Sequence, residues 1–244
     1  MFSPRLALAS LSGESDAAWA RMGAPYAGAA FLGGLSLDEP TQRAARTMVA
    51  ERDREEFLPA DPFAFIRDQL ADLSDVSVRP GINVRAIDAE PIRRAARICA
   101  DHDAILEINA HCRQDEMRAA GAGEALLENP DRFAEQVAAA ARTDAAVSVK
   151  VRAEVPGVDL PALAARLEAV GADAIHVDAM DSEAVVAEVV GATDAFVIAN
   201  NGVRDAATTR EYLAYGADAV SVGRPSDDPA VLARVSEAVE EWFE

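Results

Sequence analysis

Short apolar runs recur along the chain, and most of them stop at a polar side chain. The run at residues 104–112, AILEINAHC, leads from apolar and small residues into Asn109, His111 and Cys112. A run of this kind, bounded by polar residues, predicts a buried parallel strand. Four later segments behave alike. Residues 147–150 end at Lys150, 174–178 carry His176 and end at Asp178, 196–200 end at Asn200, and 219–224 end at Gly223-Arg224. Three earlier runs complete the set. They lie at 5–11, at 26–32 with Gly33-Gly34 just beyond, and at 76–84, where Pro80-Gly81 predicts an interruption ahead of Asn83.

Helical patterns fill the spaces between them. Residues 13–16 predict a turn, and helices are expected over 17–22, 38–52, 62–73, 89–102, 130–142, 159–170, 181–190, 205–215 and 228–243. Asp38 with Pro40 in the first turn is a helix-start signal. Ile92, Ala95, Ala96 and Cys99 share one helix face, so Cys99 is expected to be an inert core thiol. Gly171, Gly191 and Gly216 each follow a helix, where a left-handed cap is expected. A Gly- and Ala-rich stretch, 119–123, separates the central run from the helix at 130–142.

Eight strands, each followed by helical material, predict a single-domain (β/α)8 TIM barrel over residues 1–244. A doubly wound sheet is the other candidate. Eight units, and no Gly-rich turn after the first strand, disfavour it. In such a barrel the strand C-termini share one face, and that face carries the chemistry. Asn83, Asn109, Cys112, Lys150, His176, Asn200 and Arg224 are then expected around one cavity. The loops after strands seven and eight often bind phosphate. Here they read Asn200-Asn201-Gly202 and Gly223-Arg224-Pro225, with residues that tolerate positive φ and an Arg to pair with an anion.

Composition changes this picture in two ways. The chain has 42 acidic and 23 basic residues, a net charge of −19, and Lys150 is its one lysine. Such self-repulsion is relieved by salt, which shortens the Debye length to about 3 Å at 1 M. The acidity therefore points to a halophilic, archaeal cytoplasm, or else to a GC-rich genome that favours Arg and Ala. It disfavours a broad basic nucleic-acid surface. A lysine retained where all others are absent points to a task that the planar, forked arginine does not perform. No apolar stretch is long enough to span a membrane, and residues 1–16 read as a first strand, not a signal peptide, so a cytoplasmic location is expected. Cys99 and Cys112 form neither a disulfide framework nor a metal motif.

The ordered segments "EINAHC", "GAGEALLENP", "VSVKVR", "GADAIHVD", "VIANNGV" and "GADAVSVGRP" resemble the dihydrouridine synthase family, in particular its short archaeal members. The resemblance covers roughly residues 104–230. It implies FMN on the barrel face, NADPH or NADH as electron donor, and reduction of the 5,6 double bond of uracil in tRNA. It further implies that Cys112 is the general acid and that Lys150 and His176 contact the flavin ring. Asn83 and Asn109 would also be flavin contacts, and Asn200, Asn201, Gly202, Gly223 and Arg224 would cradle the phosphate. A thiol suits the acid's role, with an ordinary pKa near 8.5.

The chain departs from the family at His111-Cys112-Arg113, where Gly-Cys-Pro is usual, and at Asp178, where a His is usual. Its first strand end, Ala9 to Gly13, matches loosely. The family's C-terminal helical tRNA-binding domain is not expected here. His111 is a candidate second donor. Arg85, Arg113, Arg118 and Arg152 are either contacts to an anionic substrate or solvated side chains. Two other functions stay open: an FMN oxidoreductase acting on a free pyrimidine or dihydroorotate-like molecule, and a barrel without redox chemistry that serves as a binding protein. The oligomeric state is not legible.

Overall fold

In the computed structural model, which describes residues 1–52 and 54–244, eight parallel strands close into a barrel in sequence order. They are β1 (Leu6–Leu8), β2 (Ala29–Ser36), β3 (Arg79–Arg85), β4 (Ile105–Asn109), β5 (Ala146–Arg152), β6 (Ala174–Asp178), β7 (Phe196–Asn200) and β8 (Ala219–Val222). β8 pairs with β1 through Leu6–Val220, Ala7–Ser221 and Leu8–Val222, which completes the ring. The helices are α1 (Ala17–Gly23), α2 (Glu39–Glu51), α3 (Pro62–Ala71), α4 (Ala89–Asp101), α5 (Asp115–Ala120), α6 (Pro130–Ala141), α7 (Leu160–Ala169), α8 (Val185–Val190), α9 (Ala206–Ala214) and α10 (Pro229–Phe243). The expected (β/α)8 architecture is the one found. Among the described residues no helix is long and apolar enough to cross a membrane.

Acidic residues start many of these helices. Asp16, Asp38, Asp61, Asp159, Asp205 and Asp228 each accept a hydrogen bond from a backbone N–H in the first turn of the helix that follows. Part of the acidic excess is thus structural. The Gly-Ala-Asp steps also have a mechanical reading. Asp173 and Asp218 accept at 2.8 and 2.9 Å from the N–H groups of Val147 and Val197, at the entry of the preceding strands.

Side chains alternate along each strand, so two sets of positions diverge. One set, including Leu106, Ile108, Val149, Ile175 and Val220, packs outward under the helices. The other points into the barrel. Its lower layer is apolar: Ala7, Ala29, Phe31, Ile105, Ala174, Ile198 and Ala219. Its upper layer is polar and buried, with Asn83, Glu107, Ser148, His176 and Ser221. The barrel is therefore plugged below and hydrogen-bonded above, and the cavity opens over the polar layer.

Several local expectations are corrected. β3 runs unbroken through Pro80-Gly81. Pro80 precedes the ladder with β4, which begins at Gly81, so no N–H is missed there. At Gly81 a Cβ would lie 2.5 Å from Cδ1 of Phe31, so the glycine makes room for the ring that fills the barrel. β2 likewise continues past Gly33-Gly34, with a shift of register between Gly33 and Leu35. Gly171 and Gly216 take φ of +109° and +92° as expected. Gly191 does not: its φ is −69°, and its N–H still bonds the Ala187 carbonyl as part of the helix. α5 and the 3-10 turn at Gly123–Leu126 lie between β4 and α6, where the sequence showed only a Gly- and Ala-rich stretch.

Candidate functional site

A cavity of about 1210 Å3 opens at the C-terminal ends of the strands. Its walls come from all around the ring: Ala9 to Ser12 after β1, His111 to Gln114 after β4, Asn201 to Arg204 after β7, and Gly223 to Pro225 after β8. Of the residues expected around one cavity, Asn109, Cys112, Lys150, Asn200, Asn201, Gly202, Gly223 and Arg224 line it. Asn83 and His176 lie one layer lower, fully buried beneath the floor.

The floor is a chain of hydrogen bonds centred on Glu107. Its carboxylate accepts from Asn83 Nδ2 at 2.7 Å, from Ser148 Oγ at 3.2 Å and from His176 Nδ1 at 2.7 Å. Burial pushes this carboxyl up, but the neighbouring His176, Lys150 and Asn83 outweigh burial and hold it below the usual carboxylate range. His176 is lowered, first by burial and then by the Lys150 charge, against the pull of Glu107. The imidazole is thus neutral at pH 7, donates from Nδ1 to Glu107, and accepts at Nε2 from the Ser221 hydroxyl at 2.7 Å. Ser221 lines the cavity, so a line of polar contacts runs from Glu107 through His176 to the cavity floor. Asn109 Nδ2 donates to Asn83 Oδ1 at 2.8 Å, which joins the cavity wall to the same network.

Lys150 rises out of this floor. It stands between Asn109 and His176 in the ladder register, is 2% exposed, and reaches the cavity. Among the described residues its ammonium makes no direct side-chain hydrogen bond, although the Glu107 carboxylate lies within its field. Cys112 forms part of the wall. Asn109 Oδ1 accepts from the backbone N–H groups of His111 and Cys112 at 3.2 and 3.1 Å, and Glu124 N–H donates to the Cys112 carbonyl at 2.8 Å. This fixes the turn that presents the thiol. Burial, then nearby positive charge led by Lys150, holds the His111 imidazole well below its ordinary pKa. Cys99, on the buried face of α4, is pushed up to about 12 by burial alone, in keeping with an inert thiol.

The phosphate-type loops are open to a ligand. Asn201 and Gly202 hold φ of +98° and +69°. The backbone N–H groups of Gly202, Val203 and Gly223 make no hydrogen bond within the described residues. Arg204 and Arg224 extend from the same loops, both exposed. Of the other arginines singled out, Arg113 lines the cavity. Arg152 also lines it while paired with the nearly buried Glu124, which Arg118 approaches at 3.2 Å. Arg85 is fully buried and paired with Glu56. Asp178 lines the cavity and accepts from the Met180 N–H at 3.3 Å.

Glu107, Ser148, Ser221 and Glu56 were not singled out from sequence. Strand parity was the available signal for the first three. Glu107 is two residues before Asn109, Ser148 two before Lys150, and Ser221 two before Gly223, all on the inward face. Glu56 lies on a connection and carries no such signal.

The two depressed imidazoles set a pH dependence. Each stays neutral in the fold where its unfolded counterpart, near 6.5, begins to take up a proton. Their contribution to stability is complete above about pH 6.5 and is lost as pH falls toward the folded values. Each contributes a slope of up to ~1.4 kcal/mol per pH unit. Urea unfolding in molar salt, which screens the acidic surface, is expected to show stability falling from pH 6.5 to 5.5. A flat or rising profile over that interval would refute the neutral floor.

An uncharacterized protein of Methanocaldococcus jannaschii is 28% identical over 233 residues, covering 90% of this chain and 88% of its own. Morphinone reductase in complex with tetrahydroNAD superposes with a TM-score of 0.65 at 15% identity, over 94% of this chain and 86% of that one. A FabK variant from Thermotoga maritima gives a TM-score of 0.59 at 16% identity, over 92% of this chain and 63% of that one. At these identities the two structures share the barrel fold. Residues 82–243, from β3 to the last helix, match the sequence profile of dihydrouridine synthase (Dus), and the chain belongs to the dihydrouridine synthase family.

Proposed function

We propose that the protein is an FMN-dependent oxidoreductase that reduces the 5,6 double bond of uracil in tRNA. The observation that carries this reading is the joint arrangement of three features around one cavity: open backbone donors at Gly202, Val203 and Gly223, the lysine at the floor, and the thiol in the wall. These features fit FMN. The free N–H groups, with Arg204 and Arg224, suit a phosphate, and Lys150 suits the pyrimidine end of the ring system. Bound FMN would supply the hydride, and NADPH or NADH would restore it.

The chain's own residues have separate tasks in this reading. Lys150 places a positive charge where reduction adds electron density. Asn109 orients the turn carrying Cys112 and at the same time faces the cavity. Cys112 gives its thiol proton to the substrate carbon. His176 acts at one remove, by fixing the direction of the Ser221 hydroxyl. The charge of the lining supports an anionic ligand. Arg54, Arg113, Lys150, Arg152, Arg204 and Arg224 face Glu14, Glu55 and Asp178, in a protein of net charge −19.

The direct test is mass analysis of tRNA nucleosides from a strain lacking the gene. Loss of dihydrouridine at one or more positions is expected, and unchanged dihydrouridine would overturn the tRNA assignment. The acidic surface outside the cavity favours a second reading, reduction of a free pyrimidine. Turnover of free bases by purified protein, with none on tRNA, would decide for it.

A further inference from the structure

Tyr212, on the buried face of α9, sits behind the loop that follows β7. Its ring packs in the core, 2% exposed, where a phenylalanine would fill the same space. The hydroxyl reaches out of that core. It donates to the Asn201 carbonyl at 2.9 Å and lies 3.5 Å from the Asn200 carbonyl. Asn201 is the first residue past β7 and holds a φ of +98°. A non-glycine residue in this conformation is uncommon and persists where its surroundings fix it. Here they fix it twice, because Asn201 Nδ2 also donates to the Met180 carbonyl at 3.0 Å.

The same peptide unit carries a donor on its other side. In a trans peptide the C=O of one residue and the N–H of the next point in opposite directions, and the Asn201–Gly202 peptide is trans. Its carbonyl is held by a hydroxyl anchored in the core, so the Gly202 N–H is turned away from the core, and Gly202 lines the cavity. That N–H is one of the open donors that suit a phosphate. At Gly223 the barrel ladder performs this task by itself. The Val222 carbonyl accepts from the Ala9 N–H at 2.8 Å, which turns the Gly223 N–H away from β1. On β7 the ladder ends too early to do so. The Asn200 carbonyl is taken by the Ala179 N–H at 3.0 Å, but among the described residues no backbone N–H reaches the next carbonyl, and Tyr212 takes it.

We propose that Tyr212 is a positioning residue for the cofactor phosphate: by pinning the Asn201 carbonyl it aims the Gly202 N–H at the phosphate before the ligand arrives. This rests on the reading of the loops after β7 and β8 as the FMN phosphate site. A donor that is already aimed needs no reordering on binding, whereas a loose peptide unit gives up conformational freedom when the ligand fixes it. A buried tyrosine hydroxyl needs some acceptor, and satisfying it is a structural role. A brace for the phosphate differs from that role in one respect: its effect depends on the phosphate being there.

The test compares FMN with riboflavin, which has the same ring system and ribityl chain but no phosphate. Binding to the full chain freed of flavin is followed by flavin fluorescence in molar salt at pH 7.5, for the parent, Y212F and Y215F. The Tyr215 hydroxyl reaches only the exposed Glu211 carboxylate, at 3.4 Å, so Y215F reports the general effect of losing a tyrosine hydroxyl from this helix end. Y212F is expected to weaken FMN by about 3- to 10-fold, the worth of one buried hydrogen bond, and to leave riboflavin unchanged. Y215F is expected to change neither. Equal weakening of both flavins by Y212F would mark a merely structural tyrosine and overturn the proposal. In the parent, the Gly202 amide signal in a 15N–1H spectrum is expected to move on adding FMN and to stay in place on adding riboflavin. Should Y212F fail to fold, this spectrum decides, and a Gly202 signal that ignores FMN or answers both flavins alike overturns the proposal. A parent that binds neither flavin overturns the FMN reading and this inference with it. Parental FMN affinity in Y212F overturns this inference alone, so the two failures are distinguishable.

Discussion

Glu107→Ala is expected to destabilise the barrel by about 3–5 kcal/mol, the range for removing one partner from a buried charged network. The carboxylate accepts from Asn83, Ser148 and His176, all buried, so its removal orphans three donors at once. Each unsatisfied buried group costs about 1–3 kcal/mol, and the vacated volume adds a cavity term. Lys150 also loses a carboxylate that lies within its field. Glu107→Gln keeps the shape and one acceptor oxygen but sets an amide NH2 against a donor, so it should cost less than Ala and more than a surface change. Urea unfolding at fixed molar salt and pH 7.5 measures both. An alanine variant within about 1 kcal/mol of the parent, below the usual cost for one buried group, would show that the polar layer is not the support described here.

The same layer shows where sequence reading succeeds and where it stops. Strand starts were legible because an apolar run begins where the strand enters the core: 104–112, 174–178 and 219–224 begin within one residue of β4, β6 and β8, although the first and last run past the strand ends by three and two residues. The breaks read into β2 and β3 were real glycines with another cause: a bulge at Gly33 to Leu35, and the Phe31 ring above Gly81. Those depend on a partner strand, which local sequence does not name. Depth inside the barrel was also hidden. Lys150 and His176 are paired in register, yet only Lys150 reaches the cavity, because its longer stem carries the charge upward while the imidazole stops at Ser221. The Arg85–Glu56 pair spans 29 residues and joins a strand end to a connection, so no periodicity could announce it.

If the protein carries out the proposed reduction, Lys150→Ala is expected to lower its rate by about 10²–10³, the range for deleting one preorganised group aimed at developing charge. The protein should still fold, since among the described residues no hydrogen bond depends on the ammonium and the aliphatic stem leaves a space that opens to the cavity. Lys150→Arg is the sharper variant. It keeps the charge, so an effect on flavin content or rate must come from shape. The position is 2% exposed and hemmed in by Asn109 and His176 on the neighbouring strands. A planar fork is wider than an ammonium and demands partners in its own plane, and the Glu107 carboxylate in the floor is already taken up by three donors. Protein purified in high salt is expected to be yellow and to release FMN on denaturation, with the arginine variant retaining less per chain or reducing substrate more slowly in a single turnover. Parental flavin content and kinetics in that variant would remove the reason offered for the one lysine in a chain of 23 basic residues.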